Sequence, residues 1–159
     1  MVVLGIDPGF TSTGFGILKK EGGKAFLLDY GCLNLPSCKP LDARIALFYD
    51  FFVQKIETWQ VTHIALETPF LGKNAQTFLK LGYLRGILYL LASKYTLSLH
   101  EFAPREVKLS VTGFGAAQKE QVARVILRLF PTMSMPSKLD VTDALAVTLC
   151  GVWKASLRA

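Results

Sequence analysis

Apolar and polar residues follow two different periods along this chain. Three apolar stretches in the first third, residues 2–7, 14–19 and 25–35, have the length and composition of strands. The first is a continuous apolar run ending at Asp7, which is typical of a strand buried on both faces. The second and third are separated by EGGK, whose paired glycines favour a hairpin turn. The pattern therefore predicts an initial meander of three antiparallel strands.

The rest of the chain alternates between helical spacing and short apolar runs. Helical spacing predicts helices over residues 41–60, 74–95, 104–109, 118–130 and 139–156. Short apolar runs predict strands over residues 62–67 and 97–102, and the segment VTGFGAAQ is predicted to be a loop. Parallel strands joined through helices require a sheet covered on both faces. We therefore predict one α/β domain over residues 1–159, with a mixed sheet of about five strands, three antiparallel then two parallel, and helices on both faces.

Composition narrows the class of protein. Hydrophobic residues make up 51% of the 159 residues and charged residues 19%, which is enough to build a full core. Mean hydropathy is +0.35, yet no apolar run approaches the roughly 20 residues that a membrane-spanning helix needs. The N-terminal MVVLGID lacks the basic segment of a secretory leader. We expect a cytoplasmic protein without a membrane segment, whose three cysteines are free and at least partly buried.

Charge is distributed unevenly. The net charge is +6, but residues 70–139 hold ten Lys or Arg against three Glu, while the rest of the chain is nearly neutral. A basic half joined to a neutral half indicates a polyanionic partner such as a nucleic acid. A lysine-rich solvated surface would give the same pattern, so charge alone leaves both interpretations open.

Four acidic residues stand at the ends of apolar elements. Asp7 ends the first predicted strand and Glu67 the fourth, where ligand sites of α/β sheets usually lie. Asp140 and Asp143 are three residues apart at the start of the last helix, so they share one side of its first turn. Each has a simpler explanation: Asp7 as a turn residue, Glu67 as a solvated strand end, and the helical pair as a capping arrangement.

Taken together, the four carboxylates indicate a metal site. Clustered carboxylates repel one another unless a cation offsets their charge. Mg²⁺ prefers oxygen ligands and commonly joins protein carboxylates to a substrate phosphate. An acidic cluster within a basic protein therefore suggests metal-dependent cleavage of a phosphodiester backbone.

Five stretches in order along nearly the whole chain resemble the RuvC family of bacterial Holliday-junction resolvases. They are GIDPGFTSTGFG (5–16), ALETPF (65–70), KNAQTFLKLGYLRG (73–86), FAPREVKLSVTGFGAAQKEQV (102–122) and DVTDALA (140–146). The resemblance implies an RNase H-like fold and an endonuclease that resolves four-way junctions in recombination and repair by paired symmetric hydrolysis. The expected products carry 5′-phosphate and 3′-hydroxyl ends.

The resemblance also implies site residues, cofactors and partners. It implies catalytic and metal-binding roles for Asp7, Glu67, Asp140 and Asp143, which would hold two Mg²⁺ ions once substrate is bound, with Mn²⁺ as a substitute. It implies DNA contacts by Phe70 near the crossover, by Lys108 and Lys119 near the cleaved strand, and by Lys73 in the same basic segment. A homodimer and a RuvA/RuvB-type branch-migration complex are the implied partners. Thr68-Pro69 stands where other members vary and often carry Gln, which puts the presentation of Phe70 in question.

Three other functions fit part of the sequence. The segment from Asp7 to Gly14 also matches the phosphate loop of actin-like kinases and ATPases, but those proteins enclose nucleotide between two such domains, and the chain has no Walker A motif. A junction-binding protein without activity would not need four carboxylates. A nuclease acting on RNA–DNA hybrids remains open, because a fold does not fix the substrate.

Overall fold

The computed structural model describes residues 1–69, 74–134, 136 and 139–156. Its strands are β1 (Val2–Asp7), β2 (Ser12–Glu21), β3 (Lys24–Asn34), β4 (His63–Glu67) and β5 (Ser98–Phe102). Its helices are α1 (Leu41–Trp59), α2 (Ala75–Lys94), α3 (Pro104–Thr112), α4 (Lys119–Leu129) and α5 (Asp140–Ser156). Element types and order agree with the sequence prediction.

The strands form one mixed sheet with the order β3-β2-β1-β4-β5. Strand β2 is antiparallel to both β1 and β3, whereas β1–β4 and β4–β5 are parallel pairs. Ile6 is paired with Leu66, so the carboxyl ends of β1 and β4 meet at the same edge of the sheet. The predicted arrangement of three antiparallel and two parallel strands is confirmed.

Helices cover both faces of the sheet, and the alternation of strand residues decides which side chains meet them. Leu4 and Ile6 of β1 face a core shared with α1 and α2. Val3 belongs to the opposite core, which α3, α4 and α5 complete. Because side chains alternate along a strand, Asp7 falls on the same face as Val3. The same parity places Glu67 with Ala65 on the α5 side.

Helix α5 packs unusually close to the sheet because the strands present glycines beneath it. A Cβ atom on Gly14 would lie 2.1 Å from the carbonyl oxygen of Asp140. One on Gly5 would lie 2.0 Å from Oγ1 of Thr148, and one on Gly16 would lie 2.4 Å from Cδ2 of Leu145. At Gly14 and Gly5 a Cβ atom would also meet backbone atoms of α5, so it would not fit without moving the helix or the strand, whereas at Gly16 it would meet only side chains. Glycines in β1 and β2 therefore set the height of α5 above the sheet.

Two details differ from the sequence prediction. Helix α3 continues through Val111 and Thr112, which were predicted to begin a loop; it ends at Gly113, whose φ of 77° is in the left-handed region that glycine adopts freely. Cys38 is exposed, although Cys32 and Cys150 are at least partly buried and all three are free thiols. Within the described residues, no helix is long and apolar enough to cross a membrane.

Candidate active site

Asp7 and Glu67 open into one cleft at the carboxyl edge of the sheet. The cleft has a volume of about 180 Å³. Its polar lining consists of Asp7, Glu67, Lys108, Lys119 and Asp143, and its apolar lining of Pro104, Val107, Val122 and Ala146. Strands β1 and β4 supply the first two carboxylates, helices α3 and α4 the lysines, and α5 the third carboxylate. Residues far apart in sequence thus meet at one sheet edge.

The first turn of α5 brings Asp140 and Asp143 to this edge. The backbone N–H of Asp143 donates to the carbonyl of Leu139 at 3.0 Å, so Leu139 occupies the N-cap position and Asp140 is the first helical residue. The capping explanation of the pair, which requires Asp140 at the N-cap position, is therefore wrong. Gly14 lies directly under the Asp140 backbone and permits this close approach.

Asp7 is the most electrostatically perturbed carboxyl group of the cleft. Burial raises its pKa to about 7, and the negative charges of Asp143, Glu67 and Asp140 act in the same direction. The positive charge of Lys119 opposes the shift. An ionised Asp7 is thus costly unless a cation approaches it.

Glu67 shows the same tendency. Burial raises its pKa above the ordinary glutamate value, and the charge of Asp143 adds to the rise. Lys119 and Lys108 lower the pKa of Glu67 and so partly offset these effects. Both lysines expected from the sequence to lie near the site therefore act on its carboxylates.

Lys119 forms the closest polar contact in the cleft. Its Nζ lies 2.5 Å from Oδ2 of Asp143. Burial alone would lower the pKa of Lys119, but the hydrogen bond and negative charge of Asp143 raise it above the ordinary lysine value. The lysine side chain stays 57% exposed while that of Asp143 is 15% exposed. The ammonium group therefore balances a carboxylate and still faces solvent.

The donor set of the cleft fits a hard divalent cation. Three carboxylates line the cleft with two lysines, and Asp140 is close enough for its charge to act on Asp7. Oxygen donors of this kind are what Mg²⁺ and Mn²⁺ prefer. Within the described part of the chain, no three His, Cys, Asp or Glu side chains are already gathered closely enough to hold one ion. Binding of a cation by three of these groups would therefore require the carboxylates to move closer together.

Arg85 is a structural member of the site that the sequence analysis missed. It was counted within the basic segment, but it is 7% exposed. Its Nη1 donates to the carbonyl oxygen of Glu67 at 2.7 Å, and its Nη2 forms an ion pair with Glu101. Helical spacing could have predicted that Arg85 is buried, because it lies on the buried stripe of α2 between Leu84 and Leu88. Its guanidinium fixes the end of β4 that carries Glu67.

The expected DNA contacts divide into two groups. Lys108 is half-buried and lines the cleft, and Lys119 is described above. Phe70 and Lys73 lie outside the described residues, so their predicted contacts with DNA remain predictions.

The family model and the relatives that match this chain carry the same description. A family model described as crossover junction endodeoxyribonuclease RuvC matches residues 3–151. The chain is 43% identical to the crossover junction endodeoxyribonuclease RuvC of Chlorobium phaeobacteroides over 159 residues, covering 100% of this chain and 85% of that relative. It is 33% identical to the protein of the same name from Desulfitobacterium hafniense, covering 99% of this chain and 95% of that one.

Comparison with solved structures supports the same fold. Thermus thermophilus RuvC in complex with a Holliday junction substrate superposes with a TM-score of 0.90 at 26% identity, covering 99% of this chain and 96% of that one. The yeast mitochondrial Holliday junction resolvase Ydc2 superposes with a TM-score of 0.67 over 98% of this chain and 80% of its own, at 18% identity, which concerns the fold alone. The predicted RNase H-like fold is confirmed.

Proposed function

The chain belongs to the RuvC family of crossover junction endodeoxyribonucleases, and from this we propose that it resolves four-way DNA junctions by paired, symmetric hydrolysis. The observation that carries the proposal is the convergence of Asp7, Glu67 and Asp143 with Lys108 and Lys119 in one cleft. Such a cleft combines donors for a divalent cation with positive charge for a phosphate.

Our assignment of catalytic roles includes all four carboxylates. Asp7, Glu67, Asp140 and Asp143 would hold Mg²⁺, or Mn²⁺ in its place, with two ions per site when substrate is present. Bound ions of this kind activate a water molecule and stabilise the leaving oxygen of a phosphodiester. The protein's own contribution is to hold the donors on two strands and a helix, and to shield Asp7 from bulk water. Breaking the bond to the 3′-oxygen leaves 5′-phosphate and 3′-hydroxyl ends.

Lysines at the cleft would hold the substrate strand. Lys119 is more than half exposed while its ammonium group touches Asp143, so it can contact a phosphate without leaving the site. Lys108 lies on α3 at the same opening. We assign the remaining contacts of the basic segment to Lys73 and Phe70, with the ring of Phe70 stacking on a base at the crossover, three residues after Glu67.

We propose a homodimer, because two symmetric cuts need two sites. Helix α2 presents an apolar stripe away from the core: Leu79 is 57% exposed, Tyr83 39% and Leu90 48%. Gly82 and Gly86 lie between them with open space above, which lets another backbone approach closely. A self-complementary contact along this stripe would join two copies by a two-fold axis. We also propose that the protein acts with a RuvA/RuvB-type branch-migration complex and that it is located in the cytoplasm.

The proposal is tested with labelled four-way junction, linear duplex and RNA–DNA hybrid, each with and without Mg²⁺. Mg²⁺-dependent cutting of the junction alone is expected, with nicked products that DNA ligase seals. Preferential cutting of the hybrid would show that the RNA–DNA hybrid, and not the junction, is the substrate. Products with 3′-phosphate ends, which ligase cannot seal, would exclude the proposed hydrolysis.

Single amide substitutions test the four carboxylates. Asp7→Asn, Glu67→Gln, Asp140→Asn and Asp143→Asn should each reduce junction cleavage by at least about 100-fold, because an amide is a poorer ligand for a divalent cation. Junction binding should persist, since the lysines are unchanged. Electrophoretic binding and single-turnover cleavage are measured on the same preparations. Near-normal cleavage by any one variant would remove that residue from the site.

A further inference from the structure

A second cavity adjoins the active-site cleft and is not used by the proposed chemistry. Its volume is about 600 Å³, and its lining includes Pro104, Arg105, Lys108, Leu109, Phe114 and Gly115. Pro104 and Lys108 also line the active-site cleft. The two cavities therefore adjoin at Pro104 and Lys108, and a phosphate held by Lys108 in the cleft lies next to this cavity.

Phe114 stands at the rim of the cavity on a well-bonded turn. Its ring is 59% exposed, the largest fraction among the exposed large hydrophobic side chains of the described residues. Its backbone N–H donates to Oγ1 of Thr112 at 3.1 Å, and its carbonyl accepts from the N–H of Ala117 at 3.0 Å. Gly113 allows the chain to turn out of α3 immediately before it. These backbone hydrogen bonds fix the turn that carries Phe114, and its side chain is exposed to solvent.

Arg105 supplies positive charge beside this ring. It lies in the first turn of α3 and is exposed to solvent. A Cβ atom on Gly115 would lie 2.8 Å from Cγ of Arg105 and 3.2 Å from its Nε, so the missing side chain leaves room for the arginine stem across the turn. The neighbouring carboxylate of Glu106 accepts from the N–H of Ala103 at the start of α3. Together with Lys108, Arg105 gives the cavity two basic lining residues in addition to the aromatic Phe114.

We infer that this cavity is a nucleotide-binding subsite, in which Phe114 stacks on one base of the cleaved strand and Arg105 contacts the adjacent phosphate. An exposed aromatic ring beside a cation is the usual arrangement for holding single nucleotides. The inference rests on the proposed function, because it takes the strand in the cleft to be DNA. Phe114 has no hydrogen-bonding group, so the subsite would select a base by its stacking surface and favour a purine. It would position the strand and take no part in the chemistry.

The experiment places 2-aminopurine, one position at a time, within three nucleotides on either side of the cut in a four-way junction. Binding is followed by fluorescence in EDTA, so that no cleavage is needed. Wild-type protein should quench the probe strongly at one position, and Phe114→Ala and Phe114→Leu should abolish that quenching. Phe114→Trp should retain it. Phe26→Ala is the matched control, because Phe26 is an aromatic residue 48% exposed on β3.

Cleavage gives the second measurement. With Mg²⁺, Phe114→Ala and Arg105→Met should each slow cutting by about tenfold, the typical loss of one stacking or charged contact. Phe114→Leu keeps an apolar side chain, so it separates loss of stacking from loss of packing. Quenching and cleavage unchanged from wild type in Phe114→Leu would overturn the inference while leaving the proposed function intact. Phe114-dependent quenching in a protein that cuts no junction would support the subsite and contradict the proposed function.

Discussion

The carboxyl group of Asp7 lies where ionisation is unfavourable. It is the last residue of a strand whose other side chains are mostly buried, and three acidic groups act on it besides the loss of water. Its pKa of about 7 therefore records an energetic cost that the folded protein bears in the absence of a bound cation.

Asp7→Asn should remove this cost and stabilise the folded protein in EDTA. The pKa of Asp7 is about 7 in the folded state, while that of an unfolded aspartate is 3.8. The folded protein therefore loses stability from this group as the pH rises between these two values. The variant should be more stable by at most about 4 kcal/mol at pH 8, and equal at pH 3. Urea unfolding across this range measures the difference. Asp50→Asn, at an exposed position on α1, is the control, and a pH-independent difference would contradict the explanation.

The sequence identifies the acidic residues but not the bonds that place them. Their positions at strand ends and a helix start made Asp7, Glu67 and the two acidic residues of α5 candidates, and the structure places Asp7, Glu67 and Asp143 in one cleft. The hydrogen bond from Arg85 to the carbonyl of Glu67 crosses from α2 to β4, and the helical pattern of α2 specifies only that Arg85 faces inward. Which atom it reaches depends on how the helix lies over the strand, which no local pattern contains.

At the scale of elements, the position of α5 over β1 and β2 controls the site. Strand parity turns Asp7 and Glu67 toward this helix, and Gly14 lets its first residue approach the strand. The types and order of the elements followed from apolar spacing, but the lengths of β2 and α3 did not, since both are longer than predicted. The sequence did not predict that the glycines in β1 and β2 allow α5 to pack closely. A glycine in a strand can mark a β-bulge as well as a close contact with another element.

Gly14→Ala should lift the first turn of α5 and displace Asp140. A Cβ atom at position 14 would meet the backbone carbonyl of Asp140, which cannot rotate away as a side chain can. We expect a loss of about 1–3 kcal/mol in stability from overpacking and a loss of junction cleavage of at least about tenfold. Thermal melting and single-turnover cleavage measure the two effects. The control is Gly31→Ala, where the new atom would meet only the ring of Phe15, at 3.2 Å; equal activity losses in both variants would contradict the specific role of Gly14.

At the scale of the whole molecule, the described surface has two separate regions for contact with other molecules. The cleft and its basic surroundings lie at one edge of the sheet, and the exposed apolar stripe of α2 lies on a helix of the opposite face from α5. The sequence predicted a basic segment and an apolar α2. It did not separate the inward stripe of α2 from the outward one, since leucines occur on both.

If the protein dimerises through α2, charged substitutions on the exposed stripe of this helix should prevent dimer formation. Wild-type protein should sediment at twice the 17.5 kDa chain mass. The double variant Leu79→Glu and Leu90→Glu should sediment as one chain, because four charges across a two-fold axis repel one another. On a supercoiled plasmid with an extruded cruciform, it should leave nicked circles where wild type leaves linear DNA. Leu129→Glu, at a leucine 50% exposed on α4, should behave as wild type; full resolution by a monomeric double variant would contradict the dimer.

The distribution of the four acidic residues along the chain also bears on its synthesis. Asp7 is made before Asp140 and Asp143, which belong to the final described helix. During translation the N-terminal strands emerge and pair early, yet the set of carboxylates stays incomplete until α5 has left the ribosome and settled on its glycines. A chain released before α5 would carry the basic segment but lack two of the four carboxylates to which we assign the chemistry. On that assignment, cleavage would begin only after α5 has folded against the sheet.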